Sequence, residues 1–385
     1  MSVDPDYEYR DKEINPSEQR YFEPGEGRIT GYLSATLGIL SFLGVLCFLF
    51  PSYLTTPEFR DSYDLGFLRI LLAISMWTSL IGGLFTFVRW KNKRKGAVGL
   101  LFTFAAFALG GWEVQLGELK EAPVTLGVDW MVLSIFSASA FVFIEKIVPK
   151  YREQAILRPA WRLDLAYFSM NHLLIGVLLL VGNQFAPAFF GFAIHDGFQV
   201  WIQSLPLALQ VFLLLFFADL VFYWMHRIFH TIPFLWRFHA VHHSSEHMDW
   251  MASSRTHFLE TLFDRSMVMV PLYLLGTTEA ALNIYAVWVG FQAVFIHSNI
   301  DVPTGPFKYL LVTPQFHHWH HSSEKPAIDT NYGATFPIFD YVFGTYHMPT
   351  EHWPAKYGTV TPIPRTFIGM HVYPFVYDPE REKTP

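Results

Sequence analysis

The chain holds 17 histidines among 385 residues, and fourteen of them fall between His226 and His352. Their spacing is chemical. His226-Arg-Ile-Phe-His230 is an HxxxH pattern and His239-Ala-Val-His242-His243 is HxxHH. His297 stands alone, and His317-His318-Trp319-His320-His321 contains a second HxxHH. Residues three and four apart share a helix face, so each pattern aims two or three imidazoles at one point. Neutral imidazole suits zinc, iron, copper or nickel. Eight or nine such groups exceed the four that one tetrahedral ion uses, which points to two metal ions close together.

The HxxHH patterns are also an internal repeat. His239 to Glu246 matches His317 to Glu324 at six of eight positions, His-x-x-His-His-Ser-Ser-Glu. One HxxHH should arise by chance about 0.03 times in a chain of this histidine content, so two are not an accident of composition. Upstream, Asp219, Tyr223, His226 and His230 step by four, three and four along one helix stripe. Asp219 lies in an apolar run, where a carboxylate is costly and usually functional, and metal-bound imidazole commonly donates its other N–H to a carboxylate. Asp219 and Tyr223 are therefore the candidate catalytic residues, Asp219 as the partner behind a ligand. His257, in Arg255-Thr-His257-Phe-Leu-Glu260, reads either as a ligand or as a hydrogen-bonding neighbour, and His318 points off the face shared by 317, 320 and 321. His172 and His195 precede the cluster and read as residues lining a helix or loop, and His247, His347, His352 and His371 lack ligand spacing.

The elements that must position these groups are membrane helices. The chain is 52% hydrophobic and 16% charged, where a soluble domain carries about 25% charged residues. Its apolar residues bunch into runs near Ile29–Leu54, Gly66–Val88, Ala97–Trp112, Trp130–Ile147, Ala166–Val181 and Leu205–Met225. A span needs about 20 such residues. Met267–Ile296 is longer but carries Gly276-Thr-Thr-Glu279, turn material that predicts a helical hairpin. The expected fold is all-α: a multi-pass transmembrane helical bundle with a cytoplasmic helical cap that carries a histidine-rich dinuclear metal site. The expected organisation is a polar N-terminal tail over 1–28, an additional transmembrane module over 29–160, a catalytic domain over 161–350 and a C-terminal tail over 351–385.

Orientation follows from the loops. Arg89-Trp-Lys-Asn-Lys-Arg-Lys95 and the stretch with Lys146, Lys150, Arg152, Arg158 and Arg162 are basic, whereas intervening loops carry Glu58, Asp61, Asp64, Glu118 and Glu121. The positive-inside rule puts both basic stretches in the cytoplasm, and counting helices onward puts the histidine clusters there. Trp224, Trp236, Trp250, Trp288 and Trp319 read as interfacial anchors. The lone Cys47 excludes an intramolecular disulfide and a cysteine-ligated zinc or iron–sulfur site. The acidic N-terminus does not read as a signal peptide. A net charge of −6 without a basic stripe gives no indication of nucleic acid.

These motifs together resemble the fatty acid hydroxylase and sterol desaturase superfamily of integral-membrane di-iron oxygenases. The resemblance rests on Asp219, Tyr223-Trp-x-His-Arg-x-x-His230, Leu235-Trp-x-x-His-x-x-His-His-Ser244 and Arg255-x-His-x-x-Glu260, with His297-Ser-Asn299 after them. Further on come Thr313-Pro-x-x-His-x-x-His-His-Ser322, Asn331-Tyr-Gly333 and Asp340-Tyr-Val-Phe-Gly-Thr345. It covers about residues 205–350, and it departs from the family at Phe258, where proline is expected. The resemblance implies that His226, His230, His239, His242, His243, His317, His320 and His321 are metal ligands, with His297 a ninth. It also implies two iron ions, O2 as co-substrate, and a membrane lipid (sterol, fatty acyl or related) that is hydroxylated or desaturated. Electrons would come from a separate cytochrome b5 or ferredoxin with its reductase, or from tetrahydrobiopterin as in one branch of the superfamily. The membrane would be a bacterial inner membrane or the endoplasmic reticulum. The rival reading is a non-catalytic or transporting metal-binding membrane protein, but transport predicts polar ligands through several spans, and only Asp219 and Glu145 stand out there.

Overall fold

The computed structural model describes residues 28–56, 60, 64–90, 93–120, 127–349 and 352–376. The expected tail over 1–28 therefore lies outside the described residues except for Arg28, as do Glu58, Asp61, Lys91, Asn92, Glu121 and residues 377–385. Among the described residues the chain is helical with no strand. It divides between Glu153 and Gln154 into two compact units. The division falls before the expected 160/161 boundary because the Gln154 side chain donates to the Met248 carbonyl (2.9 Å) and Arg158 is bound to Asp249.

The first unit holds α1 (Arg28–Leu49), α2 (Leu65–Arg89), α3 (Arg94–Ala108) and α4 (Val128–Ile147). The first apolar run breaks at Phe50, since Pro51 opens a separate helical turn, Pro51–Leu54, and proline cannot continue the hydrogen-bond ladder. α1 and α3 come close at Gly38, where a Cβ would lie 2.5 Å from the Gly99 carbonyl oxygen. Inside, Ser34 and Ser79 each donate to the other's backbone carbonyl (2.7 Å) and Thr103 donates to the Ser79 hydroxyl. Such reciprocal bonds satisfy hydroxyls that apolar surroundings would leave costly.

The second unit holds α5 (Trp161–Leu173), α6 (Ile175–Phe190), α7 (Asp196–Ser204), α8 (Leu207–Thr231), α9 (Pro233–His243), α10 (Phe258–Leu275), α11 (Glu279–His297), α12 (Pro314–His320), α13 (Ile338–Phe343) and α14 (Phe367–Val372). The run expected as one span at 166–181 is instead split between α5 and α6 at Leu174. The hairpin expected at 267–296 is α10 and α11, turned by Gly276 at φ 55°, a left-handed conformation that glycine takes without steric cost. Leu214, Ala218, Val268, Leu272, Ala281 and Tyr285 close the core between α8, α10 and α11. Among the described residues, five helical stretches are long and apolar enough to cross a membrane: Ile29–Leu49, Leu65–Arg89, Val128–Ile147, Leu207–Thr231 and Glu279–His297. α8 runs past the expected end at Met225, and that extension places His226 and His230 on a rigid helix.

The remaining helices and loops form a cap. One core of the cap is Ile296, Val312, Phe316, Trp319, Ala327 and Met348. Trp319 was expected as an interfacial anchor; it is 2% exposed and packs against His347 and His352 instead. Residues 352–376, expected to trail as a tail, are folded onto the cap, with Met370 packed against Tyr167 and Val241. A buried ion network ties the cap to α5. Arg158 makes a two-pronged bond to Asp249 (2.8 Å each) and meets Asp164 at 2.8 Å, and Arg255 donates to Asp164 at 2.5 Å. Two guanidinium groups facing two carboxylates leave no net charge, the condition under which buried ions are tolerated. Removing one member strands the others, at about 3–5 kcal/mol. Asp164→Ala should therefore lower the Tm of the detergent-purified protein substantially; an unchanged Tm would show that the network carries no stability.

Candidate metal centre

Four elements deliver the imidazoles. α8 ends with His226 and His230, α9 with His239, His242 and His243, α11 with His297, and α12 carries His317 and His320 with His321 following as its cap. The structure brings all nine together in two sets. His226, His230, His239, His243 and His320 form one, and His242, His297, His317 and His321 the other, with the ligand atoms of each set within 4.8 Å of one another. Each HxxHH gives its first and last histidines to one set and its middle one to the other. An α-helix turns 100° per residue, so positions i and i+4 nearly align while i+3 points about 100° away from i+4. The two motifs interlock across the boundary, where His243 Nε2 lies 3.0 Å from His320 Nε2 and the His243 ring stacks on His321 at 4.5 Å.

The protons show why these rings invite a cation. His226 Nδ1–H donates to the Tyr332 carbonyl (2.8 Å), His242 to Arg255 (3.0 Å), His297 to Ala293 (2.7 Å) and His320 to Thr330 (2.8 Å). His239 Nδ1 bonds the Glu260 carboxylate, and His230 Nδ1 lies 3.3 Å from Asp329 Oδ1. A carbonyl oxygen can only accept, so the ring proton is on Nδ1 and a neutral ring presents a bare lone pair at Nε2. Their Nε2 atoms face one another across the sets' interiors: the separation is 3.0 Å for His226–His239 and 3.1 Å for His242–His297. In the second pair both rings donate to carbonyls, so no proton lies between the two nitrogens and the contact is repulsive unless a cation sits between them. Two nitrogens each about 2.1 Å from one ion and at right angles lie about 3.0 Å apart, which the observed spacing fits. His230 Nε2 is buried and has no hydrogen-bond partner among the described residues.

Burial keeps these bases free. It pushes His239, His243, His317, His320 and His321 well below the usual imidazole range, and neighbouring imidazoles push further in the same direction. His242 is pushed down to about 4, chiefly by burial. At neutral pH the rings outside the spans are unprotonated, the state that binds metal.

The strand of chain from Asp329 to Tyr332 supplies the acceptors for three of the five rings in the first set. Asp329 and Asn331 hold it at φ 59° and 61°, a left-handed conformation that costs non-glycine residues of order 1–3 kcal/mol. The surroundings enforce it. Asn331 bonds the Phe316 and His347 carbonyls through its amide and accepts from the His347 N–H. Asp340 accepts from the N–H groups of Tyr332 and Gly333 and from the Thr345 hydroxyl. Gly333 is required for close approach, since a Cβ there would lie 2.7 Å from the Phe336 carbonyl oxygen.

The two candidate catalytic residues belong to this support. Asp219 touches no imidazole; its carboxylate accepts from the N–H groups of Ala334, Thr335 and Phe336 at 2.7–3.1 Å. Tyr223 is fully buried, donates to the Thr345 hydroxyl (2.9 Å) and accepts from Arg227 (3.2 Å). Both act through the 329–345 stretch, so the expectation that Asp219 sits directly behind a ligand is corrected. Among the described residues, the carboxylates that meet clustered rings are Glu260, at His239, and Asp329, at His230. Glu260 was visible as the end of the Arg-x-His-x-x-Glu motif, whereas nothing in the spacing marked Asp329. His257 joins neither set: it accepts the Leu259 N–H to cap α10 and donates to the His371 carbonyl (3.1 Å). His318 is turned away, bonded to Tyr357 and to the backbone carbonyls of His297 and Ser298.

A helical protein with five candidate membrane spans among its described residues and two sets of imidazoles able to hold metal ions is a class that comparison with known proteins narrows. Residues 211–345 match the fatty acid hydroxylase family model, a stretch that holds all nine clustered histidines. The chain is 37% identical over 185 residues to ornithine lipid hydroxylase OlsE of Rhizobium tropici, covering 47% of this chain and 54% of that protein. It is 31% identical over 158 residues to the alkylglycerol monooxygenase of Homo sapiens, 40% of this chain and 34% of that one. Identity to very-long-chain aldehyde decarbonylase GL1-5 of Oryza sativa subsp. indica is 27% over 282 residues, 68% and 43% of the two chains. The matches thus span about half or less of these relatives' own length. No solved structure matches.

Removing a hydrogen-bond partner behind a metal-bound histidine typically costs 10–100-fold in metal affinity. Glu260→Ala should weaken ferrous-ion binding to metal-stripped protein by about that factor, while His257→Ala should leave it unchanged; equal effects would refute the distinction between the two positions.

Proposed function

We propose that this protein is a membrane-bound lipid hydroxylase that uses O2 and externally supplied electrons, with two iron ions held by the nine clustered histidines. The observation that carries the reading is the division of nine imidazoles into two adjacent, buried sets with facing Nε2 atoms, inside the stretch that matches the fatty acid hydroxylase family. His226, His230, His239, His243 and His320 would hold one ion, and His242, His297, His317 and His321 the other. Five and four nitrogens leave positions open for other ligands on ions that prefer six. The relatives named for ornithine lipid and alkylglycerol support a membrane lipid as substrate.

Bound there, the iron pair would supply the redox chemistry that inserts one oxygen atom into an unactivated C–H bond. The balance is R–H + O2 + 2 e− + 2 H+ giving R–OH + H2O, so a separate electron donor, such as a cytochrome b5 or ferredoxin with its reductase, is part of the reading. The chain's own groups do the positioning. Carbonyls meet four of the nine rings at Nδ1 and carboxylates two more, which turns the Nε2 of those six toward the centre. The rings of Phe222, Trp236 and Tyr332 pack at 5.0–5.3 Å against His226, His230 and His243 and exclude water. The histidines sit where spans α8 and α11 end, which supports reaction at the membrane surface, on the cytoplasmic side by the loop-charge argument. A lipid chain could then reach the centre from the bilayer while electrons come from solution.

Lipid mass spectrometry of cells with and without the gene should reveal a species shifted by the mass of one oxygen atom. His243→Ala or His320→Ala should abolish it while the protein still inserts in the membrane. A shift by loss of two hydrogens would replace hydroxylation with desaturation. One exchangeable metal per chain and no O2 consumption on reduction would favour the binding or transport reading instead.

A further inference from the structure

The most telling surface outside the metal centre is the end of the described chain. Along α14 and the turn Tyr373–Phe375, Ile368, Val372, Phe375 and Val376 are 73%, 48%, 60% and 58% exposed. Their spacing of four, seven and eight from Ile368 puts them on one helical face. The opposite face is already committed. Met370 is buried against Tyr167 and Val241, Pro374 is buried, and His371 stacks on Tyr167 (5.2 Å) and lies 4.9 Å from His257. The segment cannot rotate to hide its apolar stripe without breaking that packing.

The stripe does not end at the segment. Phe375 packs edge-on against Phe238 (5.5 Å), and Phe238 against the exposed Phe234 (5.4 Å). Phe234 and the exposed Ile232 directly follow Thr231, the last residue of the α8 span. One apolar surface thus runs from the end of a membrane span onto the outer face of α14. At its other edge stands Arg365, 82% exposed and ion-paired with Glu246 (2.9 Å). An apolar stripe bordered by a basic residue is the pattern of a helix lying in the plane of a membrane interface, and exposed apolar surface of this continuity marks a contact site.

We infer that the outward face of residues 368–376 lies in the acyl–headgroup boundary of the leaflet on the histidine side, with lipid chains as its occupant. The segment packs on α9 through Phe238, and α9 carries His239, His242 and His243. Seating it in the leaflet fixes the depth of those histidines relative to the lipid chains. The inference concerns a membrane contact and needs neither metal nor turnover, so its failure leaves the oxygenase reading untouched.

Because Cys47 is the only cysteine, the contact can be read label by label. In a Cys47→Ser parent, Ile368→Cys, Val372→Cys, Phe375→Cys and Arg365→Cys each receive a nitroxide, and the full chain is reconstituted in phosphatidylcholine nanodiscs. Positions 368, 372 and 375 should collide with dissolved O2 in preference to a water-soluble nickel chelate, with a ratio several-fold above that at 365. Ready access of the chelate to all four positions would mean that the stripe faces water and would overturn the inference. Low access to both reagents would mean that protein, a second copy or another part of the chain, covers it, and would overturn it equally. Since all four positions are exposed, the labelled variants should elute as the parent does, and Val372→Ala offers a mild control for folding.

Discussion

The structure depends on a repulsion. Six of the nine clustered imidazoles have a partner at Nδ1, and for the four that donate to backbone carbonyls the proton's position is fixed by chemistry. Those four rings keep bare lone pairs at Nε2, and His242 and His297 bring two of them to 3.1 Å. A protein does not assemble such a centre for its own stability. Packed helices, a buried ion network and strained loop geometry hold it together, and the unsatisfied field at its middle is what a pair of cations would answer.

That field explains features that otherwise look wasteful. Left-handed backbone at Asp329 and Asn331 costs free energy, yet it lets one short stretch present Asp329 Oδ1 and the carbonyls of Thr330 and Tyr332 to three different rings. Asp219, Asp340, Tyr223 and Asn331 are then the scaffold of that stretch, each satisfying backbone or hydroxyl groups that would otherwise be orphaned. Arg255 plays the matching part for the second set. Its guanidinium joins the Arg158–Asp164–Asp249 network while its carbonyl accepts the His242 proton, so a remote ion pair helps to orient one ring.

The internal repeat takes on a physical meaning here. Had each HxxHH motif served one ion, the two halves could have been independent sites. Because i and i+4 face one way and i+3 another, each motif instead contributes to both sets, and the His243–His320 contact joins them. Two ions held this way would be neighbours by construction.

The sequence by itself determined the chemistry and much of the frame. Histidine spacing singled out eight of the nine clustered residues, apolar runs marked the spans, and Gly276-Thr-Thr-Glu279 marked the hairpin, because ligand spacing and hydropathy are local properties of a chain. The tertiary structure decided what depends on contacts between distant segments. Only it could show that Asp219 serves the 334–336 backbone rather than a ring, that Trp319 is a core residue of the cap, and that His318 and His257 turn away from the centre. Likewise the break at Leu174 and the folding of 352–376 onto the cap follow from packing partners far away in sequence. A hydrogen bond from a ring to the carbonyl of Thr330 or Tyr332 leaves no trace in residue identity, since every residue has a carbonyl; which of them faces a ring is settled only when the chain has folded.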